Sequence, residues 1–215
     1  MTIPGLTKYR LLGRSGLRVS PLCLGTMTFG TDWGFGASED VSKKVFMRYM
    51  EAGGNCIDTA DGYTGGNSEI MVGKFLKEWG KRDSAVVATK YTFNAIPGDP
   101  NAGGNGRKNF MRALEGSLKR MQVDYIDMYW MHSWDTLTPV DEVLRAMDDA
   151  VRAGKILYTG FSNVPAWYLG RAMGLAEARG WVKPCGLQYE YSLVERNIER
   201  EFMPQDSWDL TLQGY

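Results

Sequence analysis

Short β-branched and aromatic runs alternate along this chain with longer stretches whose apolar residues recur every three or four positions. The first extended run is expected over 19–25 and ends at a glycine. Ahead of it, the Gly-Arg-Ser-Gly segment inside 9–19 predicts a hairpin turn that caps one end of the fold. A helix is expected over 38–52, with Ser38 as N-cap and Val41, Val45, Phe46 and Tyr49 on a common face. The alternation then repeats: strand 55–58 with helix 67–79, strand 85–90 with helix 107–121, and strand 125–132 with helix 139–153. Strand 156–162 with helix 165–179, and strand 185–191 with a helix from 195 to about 202, complete the series. About six strand–helix units in a row predict an α/β fold of the (β/α)8 TIM-barrel type. A doubly wound sheet is disfavoured, because no dinucleotide fingerprint follows the first strand.

After residue 202 the periodicity stops, and 203–215 offers at best one short strand. The expectation is one barrel domain over 1–215, incomplete as it stands, with 203–215 as an atypical or discontinuous tail. Eight units and about 250 residues are usual for such a barrel. Six leave bare edges and an uncovered core that would aggregate or recruit a partner. The polypeptide is therefore expected to be longer than these 215 residues.

Charge narrows the partners. Lys and Arg total 25 and Asp and Glu total 25, with no long single-sign run, which argues against nucleic-acid and anionic-membrane surfaces. No apolar run is long enough to span a bilayer, and the N-terminus has no signal-type core. Cys23, Cys56 and Cys185 are scattered and odd in number, as expected of small buried side chains in a reducing, cytoplasmic compartment. One histidine and no cysteine cluster disfavour a zinc site. Homo-oligomerisation is left open.

The candidate chemistry sits where strands end. His132 closes the run 125–131, Asp58 follows Gly-Asn-Cys-Ile, Lys90 follows Ala-Val-Val-Ala-Thr, and Tyr63 lies five residues past Asp58. In a parallel barrel the carboxyl ends of strands share one face, which would gather these four residues around one pocket. Hydride delivery to a carbonyl builds negative charge on oxygen, and that oxygen needs a proton donor. Tyr63 can donate. A Lys90 ammonium beside it is expected to lower its pKa, with Asp58 holding the lysine and His132 orienting the substrate oxygen. Taken singly, each has a plainer role: a cap, a packed lysine stem, a loop aromatic, a histidine bonded to a carbonyl. Asp127 is opposite in strand phase to His132 and reads as structural. Glycine-rich loops follow the first and third strands, and Trp33, Phe35, Tyr91 and Phe93 are candidates for an apolar substrate wall. Gly103 to Gly106 lacks P-loop spacing and reads as a flexible substrate lid rather than a phosphate cradle.

Asp58-Thr-Ala-Asp-Gly-Tyr63 resembles the Asp-x-Ala-x-x-Tyr motif of the aldo-keto reductase superfamily, Lys90 its catalytic lysine and His132 its catalytic histidine. Ser162 and Asn163, in Gly-Phe-Ser-Asn, resemble the pair that binds a nicotinamide carboxamide, and Gln188 resembles their third partner. Leu24-Gly25-Thr26-Met27 resembles the first-strand turn beside the cofactor. The match runs from about residue 9 to 202 and is nearest the bacterial, potassium-channel-β-like and aryl-alcohol-reductase-like branches. The resemblance implies NADPH or NADP+ as cofactor and a small carbonyl compound as substrate, reduced without metal. It makes Tyr63 the acid, tuned by Lys90 and Asp58, with His132 helping to place the carbonyl; Trp33, Tyr91 and Phe93, read from the loops, are the other expected substrate contacts. It also implies a seventh strand carrying an aromatic that packs on the nicotinamide, and basic residues after an eighth. Two alternatives stay open: a non-catalytic nicotinamide-binding regulatory subunit, and a Schiff-base lyase using Lys90.

Overall fold

The computed structural model describes residues 5–202 and 210–215. Its centre is a seven-stranded, all-parallel sheet in sequence order: β3 (Leu24–Gly25), β4 (Cys56–Asp58), β5 (Val86–Tyr91), β6 (Ile126–Met131), β7 (Ile156–Ser162), β8 (Gly186–Tyr189) and β9 (Thr211–Gly214). Sequence-adjacent parallel neighbours are the topology of a barrel wall, and the sheet is an incomplete (β/α) barrel. Helices α1 (Glu39–Glu51), α2 (Asn67–Trp79), α3 (Arg107–Met121), α4 (Val140–Arg152) and α5 (Ala166–Arg179) cover its outside, followed by the single turn α6 (Ile198–Glu201). No helix among the described residues is long and apolar enough to cross a membrane.

The two-residue period of each strand separates two cores. Ile57, Val87, Tyr91, Tyr129, Phe161 and Leu187 point outward into the layer between sheet and helices. Cys56, Val86, Ala88, Met128 and Trp130 point into the barrel, where Leu12 and Val19 pack on them. Trp130 fits because Gly160 and Gly186 face it: a Cβ on Gly160 would lie 2.3 Å from the indole. Leu12 and Val19 belong to the expected hairpin, β1 (Arg10–Leu11) with β2 (Arg18–Val19). This hairpin reaches the far end of the sheet, where the Gly13 N–H donates to Thr211 Oγ1 at 2.5 Å.

Several expectations shift. The first strand does not run over 19–25. Val19 stays in the hairpin, and only Leu24–Gly25 joins the sheet, because Pro21 interrupts the run and offers no N–H. On α1 the buried stripe is Ser42, Phe46 and Met50, spaced by four, while Val41 and Val45 are exposed and Ser38 makes no side-chain cap bond. Part of the expected tail, 211–214, is a strand that pairs with β8 and extends the wall in order. The root of the expected lid is pinned: Asn105 is fully buried, donates to Thr92 Oγ1 and the Ser133 carbonyl, and exchanges two hydrogen bonds with Asp135.

Candidate active site

The four candidates Asp58, Tyr63, Lys90 and His132 meet at the carboxyl end of the sheet. Lys90 is 1% exposed. Its Nζ donates to Asp58 Oδ2 at 2.5 Å, to the Thr59 carbonyl at 2.7 Å and to the Tyr63 hydroxyl at 3.2 Å. These three acceptors use all three ammonium protons and fix the side chain. Asp58 Oδ1 in turn accepts from Gln188 Nε2 at 3.0 Å, which ties β4 to β8 across the barrel mouth. The His132 ring stands edge-on to Tyr63, with centroids 5.9 Å apart. Tyr63 itself is carried by a tight turn: its N–H donates to the Ala60 carbonyl, and Thr64 behind it adopts a left-handed conformation, its hydroxyl tied to the Phe29 carbonyl.

Electrostatics at the site correct one expectation. Burial pushes the Tyr63 phenol up, and this outweighs the Lys90 charge and hydrogen bond that pull it down, because Asp58 offsets part of that charge. The phenol is therefore held protonated rather than made acidic in the resting site. Burial works against the Lys90 charge, but Asp58 and Tyr63 together raise its pKa, so the lysine stays an ammonium. Burial, then the Lys90 charge, takes His132 down to about 3. Its Nδ1 is buried without a hydrogen-bond partner. A neutral imidazole can donate one hydrogen bond toward a substrate oxygen but brings no charge.

Because His132 binds its proton more weakly folded than unfolded, stability is lost as pH falls from about 6.5 toward about 3. As the chain has a single histidine, its ring C–H resonance can be followed without ambiguity. No step of the size that imidazole protonation gives is expected between about pH 5 and 8. A midpoint near the ordinary imidazole value would contradict the placement.

Above Tyr63 opens a cavity of about 680 Å³, lined by Met27, Trp33, Tyr63, Phe93, His132 and Gln188 among others. Phe93 packs edge-on to His132 at 4.7 Å and Trp33 to Tyr63 at 6.4 Å, both rings partly exposed. Gly25 and Thr26 also form the wall, although the Thr26 hydroxyl is turned to the Asp58 carbonyl and Ser68. Phe35 packs at a tilt against Trp33 and does not line the cavity. Tyr91 does not reach the cavity, which corrects its assignment as a substrate contact. It follows Lys90 on β5 and so faces the opposite way, fully buried and stacked on Tyr129. Asp127 also faces outward, paired with Arg82 at 2.6 Å.

At the rim, Ser162 and Gln188 are register partners on β7 and β8, and Asn163 follows with its amide donating to Ser162 Oγ and the His132 carbonyl. Asn163 Oδ1 accepts from the Tyr215 hydroxyl at 3.0 Å. Tyr215 directly follows the seventh parallel strand and lines the cavity, a placement that sequence reasoning left unassigned. The signal was an aromatic at the end of a short alternating run. Trp208, the other aromatic of the tail, lies outside the described residues.

The sequence profile of the Aldo/keto reductase family matches residues 21–205. This chain belongs to the aldo/keto reductase family. Among its relatives, an aryl-alcohol dehydrogenase of Pestalotiopsis microspora is 39% identical over 93% of this chain and 54% of the relative. A norsolorinic acid reductase of Emericella nidulans is 40% identical over 88% of this chain and 51% of the relative. An NADP(+) aryl-alcohol dehydrogenase of Phanerodontia chrysosporium is 34% identical over 88% and 52%. These relatives fall on the aryl-alcohol-reductase-like side of the superfamily. The chain spans about half the length of the curated relatives it matches.

Proposed function

We propose that this aldo/keto reductase chain supplies the proton-transfer and carbonyl-binding half of an NADPH-dependent reduction of aldehydes or ketones, with aromatic carbonyls preferred. The observation that carries it is the Tyr63 hydroxyl, 3.2 Å from a Lys90 ammonium already locked to Asp58, at the base of an aromatic-walled cavity. NADPH, when bound, supplies the hydride. The rim fits a carboxamide: a hydroxyl and two side-chain amides, Ser162, Asn163 and Gln188, give mixed donors and acceptors on adjacent strand ends. Tyr215, at the end of the seventh parallel strand, bonds Asn163 and lines the cavity, which supports a role for it against the nicotinamide.

The roles of the residues follow from their surroundings. Trp33 and Phe93 hold an aryl group against the wall and exclude water. Neutral His132 donates to the carbonyl oxygen. Tyr63 gives that oxygen its proton, and the phenolate so formed meets the Lys90 ammonium at hydrogen-bond distance. Asp58 keeps Lys90 aimed, and Gln188 keeps Asp58 aimed. An amine held protonated by Asp58 and Tyr63 is a poor Schiff-base nucleophile, which disfavours the lyase alternative. The names of the relatives, aryl-alcohol dehydrogenases and one specified for NADP(+), point the same way.

The test is an NADPH oxidation assay across aromatic and aliphatic aldehydes. Turnover with aromatic aldehydes at the higher kcat/KM is expected. NADPH binding with no turnover across the panel would replace this reading with the non-catalytic subunit.

A further inference from the structure

Behind the Tyr63 turn, on the outer side of the barrel wall, lies a polar cluster that the reduction chemistry leaves unused. Asp61 is 6% exposed, and its carboxyl oxygens are approached by the Gly62 N–H but neither has a hydrogen-bond partner of good geometry. Such a group is rare in a folded interior and calls for an explanation. The groups that face it are Glu69 on α2, Arg112 and Arg120 on α3, and Tyr129 on β6. Glu69 is fully buried and already engaged, with Oε1 accepting from Thr89 Oγ1 and Oε2 from Arg120 Nε, each at 2.6 Å. The Tyr129 hydroxyl and Arg112 Nε are buried without partners. Two carboxyl groups therefore share the neighbourhood of Arg120, and only one of them holds it.

The backbone connects this cluster to the reacting hydroxyl. The Asp61 N–H donates to the Lys90 carbonyl at 3.1 Å, and Tyr63 is two residues on. Thr64, Gly65 and Gly66 all have positive φ, so the turn is held in a conformation open to few side chains. Arg120 packs beneath it: a Cβ on Gly66 would lie 3.0 Å from Arg120 Cδ. Arg120 thus forms part of the floor of the turn that presents Tyr63.

We propose that Asp61 is a positioning residue for Tyr63: protonation of its buried carboxyl group decides how Glu69 and Asp61 divide Arg120, and so how the turn seats the Tyr63 hydroxyl against Lys90. Neutral Asp61 leaves Arg120 with Glu69, as seen here. Ionised Asp61 draws the guanidinium toward itself and shifts the turn. Burial, followed by the Glu69 charge, raises the Asp61 carboxyl to about 7 against the opposing pull of Arg120 and Arg112, so both states are populated near neutrality. The proposal rests on Tyr63 as the proton donor only for its effect on activity. The coupling itself does not depend on that reading.

The experiment is NMR on the full chain with carboxyl-labelled aspartate and Cζ-labelled tyrosine, assigned through Asp61→Asn and Tyr63→Phe. The Asp61 carboxyl is expected to titrate with a midpoint near 7. The Tyr63 Cζ resonance, whose own phenol stays protonated there, is expected to step with the same midpoint in the native chain and to lose that step in Asp61→Asn. A carboxyl midpoint in the ordinary aspartate range, about 4, would overturn the proposal. So would a flat Tyr63 signal across the Asp61 titration. If Asp61→Asn does not fold, Asp61→Glu or Asp61→Ser supplies the assignment instead, and the two midpoints in the native chain decide the matter. In the NADPH-dependent assay, kcat is expected to carry an inflection near pH 7 that Asp61→Asn removes, and an unchanged profile would count against the proposal. Failure of the function reading looks different: coupled resonances with no aldehyde turnover.

Discussion

Tyr63→Phe is expected to lower kcat for aldehyde reduction by about 10²- to 10⁴-fold, the usual worth of a positioned general acid. The ring contacts with His132 and Trp33 survive this change, since only the hydroxyl is removed. Lys90 keeps Asp58 and the Thr59 carbonyl as acceptors and so stays in place. NADPH affinity, measured by fluorescence titration, should therefore change little while turnover collapses. Retained turnover would remove Tyr63 from the proton path. The same result bears on the electrostatics. Burial keeps the phenol protonated, so in the proposed mechanism Lys90 would act once proton transfer has begun, by stabilising the phenolate, and not by preparing an acidic phenol beforehand.

Lys90→Met is expected to cost about 3–5 kcal/mol of stability, the range for breaking a buried ion pair from one side. Lys90 is 1% and Asp58 7% exposed, so the stranded carboxylate has little water to turn to, and Gln188 alone does not neutralise it. The double variant Lys90→Met with Asp58→Asn removes both charges and should recover much of the loss in denaturant unfolding. Carbonyl reduction should be lost in both, because neither retains the cation beside Tyr63. Equal instability of the single and double variants would show that packing of the lysine stem, rather than the pair, holds this part of the wall.

Much of this was legible in the chain. Barrel order followed from the repeated strand and helix periods. The gathering of Asp58, Lys90 and His132 followed from their shared position at strand ends. Two kinds of misreading remained. Tyr91 was judged by residue type and loop proximity, when its phase beside Lys90 already pointed it outward, just as it did Asp127. Val41 and Val45 were grouped with Phe46 and Tyr49 on one face of α1 by apolar character, while the packed stripe is Ser42, Phe46 and Met50. The direction of the Tyr63 shift was not readable at all. It depends on how deeply the ring is buried and on Asp58 cancelling part of the lysine charge, both consequences of packing rather than of sequence spacing. Tyr215 escaped for a related reason, since its run is only as long as Thr211–Gly214 and becomes a strand by pairing with β8.

Reduction at this site requires a carbonyl, a bound dihydronicotinamide and a phenol to meet in the cavity above Tyr63, and deuterium transfer reads that meeting out. With NADPH deuterated at the reactive C4 position and an aromatic aldehyde, the native chain is expected to yield an alcohol carrying deuterium on its carbinol carbon. Recovery of unlabelled aldehyde, with NADPH bound but its deuterium retained, would contradict it.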